Sequence, residues 1–137
     1  MRKHLLHISM IAALAAGASY AEDRPVIQAN IPFEFVAGTK TLPAGEYAVK
    51  RVNSIPILAI ESSNHKSNIL GIGTPEMAAQ VQPQGRLVFH RYGNTSILVE
   101  MWGSRSADGF SLPQTALERK LIAKGAGPGE TINVTAH

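Results

Sequence analysis

Hydrophobic and polar positions alternate with period two along much of the chain. Between Val26 and Phe35, the side chains of Ile27, Ala29, Ile31, Phe33 and Phe35 share one face, and those of Gln28, Asn30, Pro32 and Glu34 share the other. That is the pattern of a half-buried strand. Pro32 donates no ladder hydrogen bond, which predicts an edge strand or a bulge at this point. Gly38-Thr39-Lys40 begins a loop, and Leu42-Pro43-Ala44-Gly45 suits a type I turn. Glu46–Val52 predicts the next strand, with Tyr47 and Val49 on one side and Ala48, Lys50 and Val52 on the other. Asn53-Ser54 breaks the pattern, Ile55–Ser62 resumes it, and Ser62–Asn68 is a polar turn. Ile69–Thr74 reads as a strand weakened by Gly71 and Gly73. Thr74-Pro75-Glu76 predicts one helical turn through Val81, with a solvated loop over Gln80–Gln84 as the alternative.

The longest apolar, β-rich run outside the first residues is Gly85–Gly103. It predicts two strands folded back across Gly93-Asn94, a two-residue hairpin signal. An even loop places Tyr92 opposite Thr95 and, further back, Leu87 opposite Glu100. One face then holds Leu87, Phe89 and Arg91 with Ser96, Leu98 and Glu100. The other holds Val88, His90 and Tyr92 with Thr95, Ile97, Val99 and Met101. Large apolar groups on both faces predict a central position, between a second sheet and a helix or within a closed barrel. Ser104–Gly109 reads as a polar loop. Gln114–Lys124 is the one good helix, opened by capping-box spacing in Thr115-Ala116-Leu117-Glu118 and ended by Gly125. Leu117, Leu121 and Ile122 form its apolar stripe, with Glu118, Arg119 and Lys120 expected outward. Thr131–Thr135 is a last short strand.

Residues 1–21 stand apart from these patterns. Arg2, Lys3 and His4 precede the apolar stretch Ile8–Ala16, and Ser19 and Ala21 are the small residues of a signal-peptide cleavage site before Glu22. A membrane-spanning helix needs about 20 apolar residues, and His4 and His7 interrupt any run of that length. The expected product is an exported protein, periplasmic or secreted, consisting of a single β-rich domain over residues 22–137. No later apolar segment is long enough to span a bilayer, and without cysteine no lipid anchor forms on one.

Loss of the leader removes two of the 13 basic residues and none of the 10 acidic ones, so the net charge falls from +3 to +1. The basic residues are also scattered rather than striped, which argues against a nucleic-acid partner. An exported chain with no cysteine holds together by packing and hydrogen bonds alone. Thiol catalysis and cysteine-bound metals are excluded with it.

Ile31-Pro32-Phe33-Glu34-Phe35, Gly38 and the run Leu42–Val49 resemble the opening of a family of small exported bacterial proteins of unknown function. Arg86–Gly93, and Leu112-Pro113 with Glu118, Arg119 and Leu121, resemble later segments of the same family. The resemblance implies export and a β-rich domain. It carries over no activity, cofactor or catalytic residue.

Chemistry-bearing residues are few. His65, His90 and His137 lack the spacing of a metal site. The best polar candidates are His90, Arg91 and Glu100 on the hairpin, a base, a cation and an acid with no nucleophile motif beside them. Glu34 and Glu46 are the residue types of a glycosidase pair, which needs the two about 5–10 Å apart, but each is expected to face solvent. Gly125–Gly129 lacks the lysine and helix of a phosphate loop. Asn94-Thr95-Ser96 and Asn133-Val134-Thr135 match the glycan acceptor pattern. Trp102, Tyr92, Phe33 and Phe35 are expected in the core rather than around a ligand cavity.

These patterns predict a mainly β fold: an antiparallel sandwich or partly open barrel of about seven strands with one C-terminal helix. The expected function is non-enzymatic binding of a small or polymeric ligand at the cell envelope, with no cofactor. The first alternative is a structural protein that self-associates through an edge strand such as Val26–Phe35. The second is a small hydrolase, which requires His90 and a carboxylate within hydrogen-bond reach in a cleft.

Overall fold

The structure, a computed structural model, describes residues 27–52, 57–125 and 129–137. The leader therefore lies outside the described residues, as do Asn53-Ser54 and most of the Gly125–Gly129 run. Among the described residues the chain forms eleven strands and one helix. They are β1 (Ile27–Ile31), β2 (Phe35–Ala37), β3 (Lys40–Leu42), β4 (Gly45–Val52), β5 (Ile57–Ser62), β6 (Asn68–Ile72), β7 (Thr74–Gln82), β8 (Gly85–Tyr92), β9 (Thr95–Trp102), β10 (Ser106–Ser111), α1 (Ala116–Ala123) and β11 (Glu130–Ala136).

One path of neighbours runs β9-β8-β11-β1-β4-β5-β6, and a second runs from β9 through β10 to β7. Because β6 leads into β7 through Gly73, both paths end on the same stretch of chain, and the sheet closes into a nearly complete barrel. Gly73 is buried, and a Cβ there would come 2.6 Å from Leu58 Cδ1 and 3.3 Å from Phe110 Cβ. Leu58 lies on β5, the partner of β6, and Phe110 on β10, the partner of β7, so the glycine sits where the chain crosses from one strand pair to the other. The remaining edge of β9 takes β2, parallel, with Val36 opposite Ile97. Lys40 Nζ on β3 donates to Asn68 O on β6 at 2.9 Å across the residual seam.

Inward-facing side chains fill the barrel. Phe33 meets Phe89 edge-on at 5.0 Å between ring centroids, Phe89 meets Phe35 at 5.6 Å, and Phe35 meets Tyr47 at 5.1 Å. Ile27, Ile31, Val49, Leu58, Leu87 and Met101 close around this stack. Each such fully buried side chain contributes roughly 1.5–3 kcal/mol. The Tyr47 hydroxyl donates to Pro43 O, so its polar end is satisfied within the core. Burial raises the Tyr47 pKa above the ordinary tyrosine value.

Several sequence expectations change. Pro32 marks the end of β1 rather than an edge: β1 lies between β11 and β4. The Gly38 region is the turn of the β2–β3 hairpin, with Gly38 at φ +60°. Thr74–Gln82 is a strand rather than a helical turn, because β10 offers it a ladder. That same ladder makes Ser106–Ser111 a strand where a polar loop was expected.

The β8–β9 hairpin is central, as its two apolar faces predict. Its register runs from Tyr92/Thr95 to Phe89/Leu98 as expected, then shifts by one, so that Leu87 faces Met101 and Val88 faces Glu100. Val99 is the extra residue of this bulge. The shift turns Met101 into the barrel and Glu100 to the outside.

The helix packs on the outer face. Its Leu121 lies with Val36, Tyr92, Ile97 and Val99 in a second, smaller cluster. Thr115 caps it, accepting from Glu118 N at 3.2 Å. Leu121 faces inward and Arg119 and Lys120 outward as expected, but the rest of the stripe differs. Leu117 and Ile122 are 39% and 42% exposed, whereas Glu118 is 4% exposed and points at the barrel.

Candidate functional site

The hairpin trio does not converge. His90 Nδ1 lies 3.2 Å from Glu118 Oε1 of the helix. Arg91 donates from Nε to Ser96 Oγ at 3.2 Å and stacks its guanidinium 5.1 Å from the Phe33 ring centroid. Glu100 accepts from Trp102 Nε1 at 3.0 Å. The Trp102 ring in turn lies over Gly109, where a Cβ would approach it to 2.4 Å, and under the Arg86 guanidinium at 5.4 Å. Arg91 and Glu100 therefore serve packing, each holding an aromatic ring. The other aromatic candidates, Tyr92, Phe33 and Phe35, belong to the two clusters of packed side chains.

His90 does have a carboxylate in reach. Glu118 Oε1 also accepts from the Tyr92 hydroxyl at 2.9 Å, and burial, with Glu118 second, raises the Tyr92 pKa. A buried carboxylate on Nδ1 is the way an imidazole is oriented for base catalysis. A base also needs a group to activate, and among the described residues no hydroxyl is hydrogen-bonded to His90. Thr131, opposite His90 on β11, is exposed. The network instead gives the Tyr92 hydroxyl and His90 Nδ1 a shared partner under the helix, and among the described residues no buried side-chain polar atom lacks a partner.

A separate hollow lies elsewhere on the barrel wall. A groove of about 300 Å³ lies on the outer face of β1, β4 and β5 and under the Ser62–Ser67 turn. Its floor is explained by register: Ala48 pairs with Gln28 on one side and Glu61 on the other. A methyl group between two long side chains leaves a trough. Asn30 pairs with Glu46 one row along the sheet, and Lys50 closes the opposite end.

The turn that overhangs the trough is firmly built. Ser62 Oγ donates to Asn64 Oδ1 at 2.7 Å and accepts from Ser67 N at 3.0 Å, while Asn64 Oδ1 also accepts from Lys66 N at 3.0 Å. His65 takes φ 59°, a left-handed conformation that histidine adopts more readily than most residues. This places His65 Nδ1 on Glu61 Oε1, with Lys50 Nζ 3.9 Å from Glu61 Oε2. The His65 contact, more than the nearby charges, lowers the Glu61 pKa.

His65 and His137 both line this groove, whereas His90 does not and instead meets Glu118 of the helix. Among the described residues no group of three or more His, Cys, Asp or Glu side chains is placed to hold a metal. Glu46 lines the groove and Glu34, in the break between β1 and β2, does not. Sequence alternation already sets Ala48 and Lys50 on one outer face. Missing from it is the pairing of Ala48 with Gln28 and Glu61, which depends on contacts across the sheet.

No protein-family model matches the chain, and neither a curated protein nor a solved structure is similar to it.

Proposed function

We infer that this is an exported, non-enzymatic binding protein that holds a polar ligand at the cell envelope, in the groove over Ala48. The observation that carries this reading is the contrast between a barrel interior filled by Phe35, Phe89 and their neighbours and an open trough of about 300 Å³ on the outer wall, bordered by Gln28, Asn30, Glu46, Lys50 and Glu61. A carrier of apolar molecules keeps its lumen empty, whereas a trough walled by amides, carboxylates and an ammonium suits a ligand rich in hydrogen-bonding groups. The oriented His90 serves helix docking in this reading, which supports binding over hydrolysis. Export rests on the leader-like residues 1–21.

The test is heteronuclear NMR of the chain with a panel of short peptides and oligosaccharides. Shifts centred on Gln28, Ala48 and Glu61, abolished by Ala48→Trp, are the expected result. Shifts confined to the helix-covered face overturn the groove as the site. For export, the full chain expressed in a bacterium yields a product whose mass begins at Glu22, and retention of residues 1–21 in the cytoplasm overturns that part.

A further inference from the structure

We propose that the groove is a receptor for a short, extended zwitterionic peptide, its amine at Glu46 and its carboxylate at Lys50. This rests on the groove being the binding site and goes on to assign the ligand class. The two carboxylates of the trough differ in their commitments. Glu61 is engaged by His65 and Lys50. The Glu46 side chain forms no hydrogen bond or ion pair among the described residues, although its backbone carbonyl accepts from Ser63 N at 2.9 Å. An exposed acceptor is thus left at one end. Lys50 meets Glu61 at 3.9 Å only, a long contact that leaves ammonium donors for a second acceptor at the other end.

The dimensions favour a peptide. Glu46 and Lys50 are four residues apart on β4, about 13 Å along the strand, which is the length of an extended tetrapeptide. Gln28 and Asn30 line one wall two residues apart on β1, a spacing of roughly 6.6–6.8 Å. The amides that point to one side of an extended peptide repeat at that same interval. Side-chain amides both donate and accept, so they match backbone N–H and C=O groups in turn. The small Ala48 floor lets a ligand backbone approach between them.

The experiment titrates the chain with tetra-alanine and with N-acetyl-tetra-alanine amide, following the backbone resonances of Gln28, Ala48 and Glu61. Free tetra-alanine is expected to shift them, about fivefold more tightly than the capped peptide. Glu46→Gln is expected to remove the advantage of the free amine, and Lys50→Met that of the free carboxylate. Both positions are solvent-facing, and the spectra report directly that each variant is folded. Equal binding of free and capped peptide overturns the zwitterion assignment and leaves the groove standing. Absence of any shift at Ala48 with either peptide, while an oligosaccharide shifts it, does the same. If no ligand of either class shifts Ala48, both readings fall.

Discussion

Glu118 shows how one side chain turns an element partly away from the orientation that its apolar stripe predicts. Helical periodicity puts Leu117, Leu121 and Ile122 inward, since partial exposure of leucine and isoleucine is unfavourable. The barrel wall beneath the helix, however, carries the Tyr92 hydroxyl and the His90 ring, and only Glu118 supplies an acceptor for both. A buried hydroxyl without a partner costs about 1–3 kcal/mol, enough to offset leaving Leu117 and Ile122 partly exposed. Glu118→Ala is therefore expected to lose about 2–3 kcal/mol in urea unfolding. Because Tyr92 shares the interaction, adding Tyr92→Phe should cost less than its effect alone, and strict additivity would show that the network is not coupled. Glu61 gives a second prediction at this scale. Its folded pKa is depressed, so the stabilisation of the turn is present above the unfolded glutamate value of about 4.3 and is lost as pH falls through the lower folded value. In an NMR titration, His65→Ala should raise the Glu61 carboxyl toward the ordinary value. An unchanged titration would mean that His65 is not its partner.

Among the elements, the junction between β6 and β7 decides whether the barrel closes. Gly73 has no side chain, and the space a side chain would need is taken by Leu58 and Phe110. Gly73→Ala pushes a methyl group into both and is expected to destabilise by about 1–3 kcal/mol through overpacking. The urea midpoint should fall at an unchanged denaturant slope, whereas a neutral result would mean that β6 and β7 separate from the core without cost. The same stretch marks the limit of what the sequence makes legible. Strands β1 and β4 announce themselves because each alternates inward and outward positions on its own, and β8 and β9 because both are apolar runs flanking a Gly-Asn turn. Thr74–Gln82 is exposed at seven of its nine positions, so it has no periodicity to read, and Pro75 mimics a helix start. It becomes a strand only because β10 lies beside it. The groove is hidden for a related reason: β1, β4 and β5 each disclose a polar outer face, but the trough over Ala48 exists only once three strands lie in register.

At the scale of the whole molecule, closure determines which edges remain for self-association. The segment Val26–Phe35, the expected edge, is unsuitable: its β1 portion pairs on both sides, with β11 through Ala29/Ala136 and with β4 along its length. Free edges remain at β3, which is three residues long and carries Lys40, at β6, which pairs only with β5 and whose Asn68 O is taken by Lys40 Nζ, and along β7. Between Met77 and Gln82 the β7–β10 ladder skips from Asp108 to Ser106, so four residues of β7 face one of β10 and the strand bows outward. Pro75 removes one donor as well. Short length, lysine, proline and a bulge are the devices by which sheet edges are kept from pairing with another chain. Exposed Met77 and Val81 sit on this bowed stretch, where no straight ladder is available to a second copy. The chain lacking residues 1–21 should therefore run as a single-chain mass by light scattering at every concentration tested. Straightening β7 by deleting three residues from Ala78–Val81 and replacing Pro75 with Val should introduce a concentration-dependent increase in mass. If the unaltered chain already associates, and Met77→Lys abolishes that association, then the bowed edge is an interface and self-association replaces ligand binding as the better account of what the outer surface does.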